Sequence, residues 1–362
     1  AESRGLGDVY KRQILVLVYM TNQSNISTVL MAFMGLGAAG YLYSRYEDKK
    51  SIDTMFETKE DIIRKVFINE TQVKTTRKPI MWIHIPYEKN SRIWQNFYSR
   101  MSDNLNLPFM YLTIKSIIDN NVFDFHVCLI DDETFEKLLP EWNVSMDGLE
   151  DVALNKYRQL GLLRLVYEYG GIVVNPAFLS FKSLIDFNHS MNKSKKPFFF
   201  EEASPIESNT NTLETIYSPC LSFFGSPKYH ETLRNIIYNV DIAIKQDNTN
   251  EIDFQNGIKE IILKQIHNNE VYLLDCKYLG NKNVNGSNID IDDYLNQSTH
   301  IDLFKESYGI NIPYKSIMKR HKYMWFVNDN INNILDGNYL LAQYFSNVSV
   351  SYTHLTLPTT KN

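Results

Sequence analysis

Only three cysteines stand in 362 residues, at Cys128, Cys220 and Cys276. The number is odd and the spacing is too wide for a metal knot. Neither a disulfide scaffold nor a clustered thiolate site is expected, and a reducing compartment suits the chain better. Positive charge is not in excess either. Lys and Arg total 37 against 42 Asp and Glu, for a formal net charge of -5. That balance gives no electrostatic reason to expect a nucleic-acid partner. There is no Walker-type phosphate loop, so that common signature of nucleoside-triphosphate binding is missing. What the chain does have is apolar and aromatic content, at 44% and 13%. This suffices for one large or two ordinary domains with a sizeable core.

The two ends differ in composition from the Asn-, Ile-, Lys- and Tyr-rich middle. Residues 1–13 and 351–362 resemble translated sequencing-adapter read-through and are read as non-native tails, with Met20 as the expected start. Residues 26–44 form an uncharged apolar run, close to the roughly 20 residues that a membrane-spanning helix needs. Gly35, Gly37, Ala38, Ala39 and Gly40 are small, Tyr41, Tyr43 and Tyr46 suit an interfacial belt, and Arg45, Lys49 and Lys50 follow. The pattern predicts a single-pass anchor with the C-terminal domain on the cytosolic side. A buried core helix or a cleaved signal would also fit the run, although no Ala-x-Ala-like site accompanies it. A charged linker at 45–76 then leads to a domain at 77–350. Asn69, Asn143 and Asn192 head glycosylation sequons that a cytosolic domain would leave unmodified.

The domain is organised around Tyr157–Leu184. Leu160, Leu163, Leu165, Val166 and Tyr169 recur at helical spacing. Gly170-Gly171 stops that helix, and Ile172-Val173-Val174 reads as a short buried strand that ends at Asn175-Pro176. Upstream, residues 78–86 predict a first strand, 111–119 a helix, 125–130 a second strand and 133–139 a helix capped by Asp131 or Asp132. Downstream, a polar loop is expected after Leu184, then strands at 196–202 and 218–224 and helices at 230–245 and 253–266. The loop at 280–293 carries an Asn-Gly hairpin signal. Alternating strands and helices with short connections predict an α/β fold whose ligands sit at the carboxyl ends of the strands. Glu201 and Glu202 close one strand, and they are the nearest hard-oxygen ligands for a divalent cation or, equally, solvated loop charges. Between 314 and 328, Lys315, Lys319, Arg320, His321 and Lys322 precede Tyr323, Trp325 and Phe326. Such a cluster suits a diphosphate, and it also suits a basic surface helix with its aromatic residues in the core.

This order of elements, with Trp82-Ile83-His84 in the first strand and Tyr169-Gly170-Gly171 before the third, resembles the DXD-type sugar transferases. These are the glycosyltransferase family 32-like enzymes and capsular polysaccharide synthesis proteins, and the likeness spans roughly Pro79 to Trp325. It implies a GT-A-like mixed sheet flanked by helices, and transfer of a sugar from a UDP- or GDP-sugar to a glycan or capsule-like acceptor. Mn2+ or Mg2+ would hold the diphosphate. Carried over position by position, the resemblance implies donor contacts at Trp82, His84, Asp131, Asp132, Gly170, Gly171, Asn175, Arg320, His321 and Trp325, and at Arg164, with Arg158 as a second candidate for the helix arginine. His84 would touch diphosphate or base, or else be a packed strand-end histidine. The family's Asp-x-Asp is absent, because the chain reads Val174-Asn175-Pro176-Ala177 there. Two readings follow. Either the basic cluster handles the diphosphate without a metal, or catalysis is lost and the domain is a scaffold for a glycan or a protein. A different nucleotide-binding α/β protein is a third.

Overall fold

The computed structural model describes Val73 and residues 76–85, 107–146, 148–207, 213–246, 251–296, 301, 303–314, 317 and 320–350. The anchor expected at 26–44 and both tails lie outside these residues, as do most of the 45–76 linker and Lys315 and Lys319. Among the described residues no helix is long and apolar enough to cross a membrane.

The first half alternates strand and helix as its periodicity predicts. Strand β1 (Ile80–His84) precedes α1 (Pro108–Asn121), β2 (His126–Ile130), α2 (Asp132–Leu138), α3 (Asp151–Tyr169) and β3 (Gly171–Val173). β1 pairs in parallel with both β2 and β3. The chain therefore passes to one side of β1 through α1 and returns to the other through α2 and α3. Strand order reverses at β1, where an open α/β sheet has its crevice.

The second half builds the rest of the layer. β4 (Phe178–Ser180) is followed by α4 (Ile185–Ser194), β5 (Phe198–Glu207), β6 (Leu213–Ser226), α5 (Glu231–Lys245), α6 (Glu251–His267) and β7 (Tyr272–Leu274). The sheet runs β2-β1-β3-β6-β5-β7. Only β6 is reversed among these strands, since β3 and β5 are each antiparallel to it and β7 is parallel to β5. Helix α4 replaces the polar loop expected after Leu184; Phe187 and Met191, four apart, bury one face of it. Short elements close the chain: α7 (Ile291–Leu295), β8 (Gly309–Asn311), α8 (Met324–Asn328), α9 (Ile331–Leu335) and α10 (Leu340–Val350). β8 pairs antiparallel with β4 in a separate two-stranded sheet.

Helices cover both faces of the large sheet. Trp82, Cys128, Val173, Phe199 and Phe224 share one core with Leu163, Val166, Leu233, Val240 and Phe254 from α3, α5 and α6. On the other face Phe200 meets Phe187 and Phe223, and Phe109 of α1 stacks on Phe326 of α8. The α3–β3 junction is set by glycine. Gly170 (φ 73°) ends the helix, and Gly171 (φ 105°) brings β3 so close to β1 that a Cβ would stand 2.2 Å from the Ile80 carbonyl oxygen. No other residue combines that backbone with that approach.

Candidate functional site

At the carboxyl edge of the parallel strands, His84 ends β1, Asp131 and Asp132 follow β2, and Arg158 reaches in from the third turn of α3. Strand alternation puts His84 on the same face as Trp82, towards α2 and α3, and its ring stacks on Phe135 at 5.4 Å. The Asp132 carboxylate is gripped from two sides. His84 Nε2 lies 2.9 Å from Oδ1. Arg158 donates from Nε to Oδ1 at 2.9 Å and from Nη2 to Oδ2 at 2.7 Å, a forked geometry. The side chains of His84 and Arg158 are each 9% exposed, while that of Asp132 is 22% exposed and forms the open member.

These contacts settle the charge states. Burial opposes ionisation of Asp132, but hydrogen bonds from His84 and Arg158 outweigh it and hold the carboxyl well below the usual range. Burial pushes the His84 imidazole down, against the pull of Asp132. An ionised carboxylate only accepts hydrogen bonds, so the neutral ring carries its proton on Nε2 and leaves Nδ1 as an acceptor. Asp131 plays a different part. Its Oδ1 accepts from the Thr134 backbone N–H and hydroxyl and caps α2, as its position before the helix allows.

The other expected donor residues are dispersed. Trp82 is fully buried, and its indole N–H donates to the Gly170 carbonyl at 3.0 Å, so it is core rather than contact surface. Gly170 and Gly171 stand at the opposite edge of the sheet, at the start of β3, because the strand separates them from its carboxyl end. Arg164 lies over the Trp142 ring at 5.8 Å, one and a half helical turns beyond Arg158. Arg158 is the helix arginine that meets the strand ends. Arg320 is paired with Asp292 at 3.1 Å, and Lys322 holds the same carboxylate. His321 is exposed. Trp325 is 47% exposed and packs edge-on against Tyr339.

Asn175, Glu201 and Glu202 bear on a divalent cation; the two glutamates lie within β5, which runs on to Glu207, and not at a strand end as expected. Asn175 is 6% exposed, its Oδ1 accepts from the Ala177 N–H at 3.0 Å, and its amide donates to Asn311 Oδ1 at 2.9 Å. Both ends of the amide are used in joining the turn after β3 to β8. Glu202 faces Lys259 at 3.4 Å. Glu201 lies with Asp275 and Cys276, the one group among the described residues with metal-like spacing. Lys282 fills that group: its ammonium is 2.6 Å from Glu201 and 3.2 Å from Asp275, and 3.7 Å from the centre of the Tyr217 ring. Burial works against the ammonium, yet its hydrogen bond to Glu201 raises Lys282 above an ordinary lysine. The Cys276 thiol is pushed up to about 12 by burial, so it stays protonated and is a poor ligand. As placed, these residues suit an internal ammonium and do not fit a hard divalent cation.

Sequence reasoning missed Lys282, in the loop read as turn-rich, and Asp275, in a stretch with no motif. It named Arg158 only as a neighbour. The sequence of the chain matches no protein-family model and no curated protein.

Proposed function

We propose that the chain is a GT-A-type glycosyltransferase, anchored to a membrane by residues 26–44, that binds a nucleotide-sugar at the carboxyl edge of β1, β2 and β3. The observation that carries the reading is the His84–Asp132–Arg158 network at the strand where the sheet order reverses. Burying an ionised carboxylate, a guanidinium and an imidazole costs free energy that apolar packing would not. Such groups are held in fixed geometry where they meet a ligand. Here the half-open Asp132 and the His84 Nδ1 acceptor suit ribose hydroxyls or a base N–H, and Arg158 keeps both in place.

In the transfer, the bond between the anomeric carbon and the diphosphate oxygen breaks and one to an acceptor hydroxyl forms. The hydroxyl proton is released, and the nucleoside diphosphate leaves as an anion. Lys282 already neutralises Glu201 of β5 and Asp275 after β7, which supports transfer without a metal. The same neutralised carboxylates, with no Asp-x-Asp at 175–177, also favour a second reading, a GT-A-like scaffold that has lost catalysis.

Calorimetric titration of the full chain with UDP and GDP, with and without Mn2+, separates the two. The transferase reading expects saturable binding of one nucleotide, unchanged by Mn2+ and weakened about tenfold by His84→Leu, which removes the acceptor. Absence of binding by either nucleotide would leave the scaffold.

A further inference from the structure

The amino edge of the same sheet, away from the network just described, holds a cleft of about 810 Å³. The segment leading into β1 lines it with Thr76, Arg77 and Lys78; Lys137 closes one side and Lys228 the other. Glu168 is the single carboxylate among the lining residues, against four cations. This concentration stands out in a chain whose net charge is -5.

The cations are unequally committed. Lys137 pairs with Glu133 at 3.3 Å, but both side chains are more than half exposed, so the pair is weak. Lys78 donates to the Val122 carbonyl oxygen at 3.2 Å, which leaves its charge unneutralised. Lys228 sits over the rings of Tyr229 and Tyr169, at 4.7 and 5.9 Å, which fix its ammonium without cancelling it. Neither Lys228 nor Arg77 has a carboxylate partner among the described residues.

A second observation lies on the floor of the cleft. Asn188 of α4 lines it, is only 4% exposed, and makes no side-chain hydrogen bond among the described residues. Its amide is not sealed off from solvent, so it is open to a ligand. A ligand with hydrogen-bonding oxygens would meet that amide in the cleft. We infer that this cleft is a binding site for a small anion carrying two or more phosphate groups, held by Arg77, Lys78 and Lys228 and seated on Asn188. Beads of negative charge match several cations spread along one cleft better than a lone carboxylate does. The site is separate from the nucleotide site proposed above, since β1 alone puts about 13 Å between its two ends.

The test is calorimetric titration of the full chain with inorganic tripolyphosphate at low and moderate salt. Saturable binding at one site is expected, weakening as salt rises. Arg77→Ala with Lys228→Ala removes two exposed side chains and should weaken it about a hundredfold, roughly tenfold for each charge-assisted contact. Asn188→Leu should cost about tenfold more. Failure of the parent to bind overturns the inference, and so does an unchanged affinity in the double variant.

Discussion

Replacing Asp132 by Asn removes one charge and almost no volume, so its effect reads the network rather than the packing. The amide can accept from one neighbour through its oxygen, but its NH2 then faces an N–H of Arg158 or His84, donor against donor. Arg158 is left as a guanidinium with a side chain 9% exposed and no other ion pair among the described residues. Breaking a fully buried pair from one side costs about 3–5 kcal/mol, because the remaining charge is uncompensated. The 22% exposure of Asp132 admits water to that end, so about 3 kcal/mol is expected, the lower end of the range. For a unit of this size that corresponds to a fall in Tm of about 5 °C. Thermal unfolding followed by near-ultraviolet circular dichroism at neutral pH measures it. The double variant Asp132→Leu with Arg158→Met replaces both charges by apolar groups and should regain more than half of the loss. A fall of less than about 3 °C in Asp132→Asn, or a double variant as unstable as the single one, would refute the argument that the pair is buried and coupled.

Stability should also fall with pH in two stages. His84 and Asp132 both bind protons more weakly in the folded state than their ordinary values. Unfolding therefore takes up protons, and the contributions present at neutral pH are lost below about 6.5 for His84 and below about 4 for Asp132. Urea midpoints between pH 8 and 3 give the profile, and His84→Gln should flatten its upper stage only. Gly171→Ala should cost at least about 3 kcal/mol, combining the strain of φ 105° with a Cβ against the Ile80 carbonyl. Gly286→Ala, with φ 82° and nothing within 4 Å, should cost only about 1 kcal/mol. Urea denaturation compares the two. Lys282→Met should unmask Glu201 and Asp275, so that Mn2+ binds the variant measurably more tightly than the parent; electron paramagnetic resonance of free Mn2+ reports it. Equal Mn2+ affinity would mean that Lys282 does not occupy the place of a cation.

Local chemistry made much of the first half readable. Runs of β-branched and aromatic residues within 78–86 and at 172–174, helical spacing from Leu160 to Tyr169 and the Gly-Gly stop each depend on near neighbours, and β1, β3 and the second half of α3 lie there, although α3 begins earlier, at Asp151. The capping role of Asp131 was readable for the same reason, since the Thr134 N–H it accepts from is three residues away. The mixed α/β class with helices on both faces follows from that alternation. The short strands β4, β7 and β8 were not readable, because three residues carry no period and none of them follows a Gly-Gly helix stop as β3 does; each is fixed by a partner strand. The irregularity that follows Phe199 of β5 also has no local signature.

What the sequence by itself determined is therefore the series of elements, the glycine junction and the candidates at the strand ends. The tertiary structure decided which candidates meet. Asp132 finds His84 across 48 residues and Arg158 across 26. Lys282 reaches Glu201 across 81, and Asn175 is joined to Asn311 across 136. Those pairings depend on strand order and on the facing of helices, which periodicity leaves open. Arg158 and Arg164 share a helix and an amphipathic pattern, yet only the packing of α3 on α2 turns one to the carboxylate and the other to Trp142.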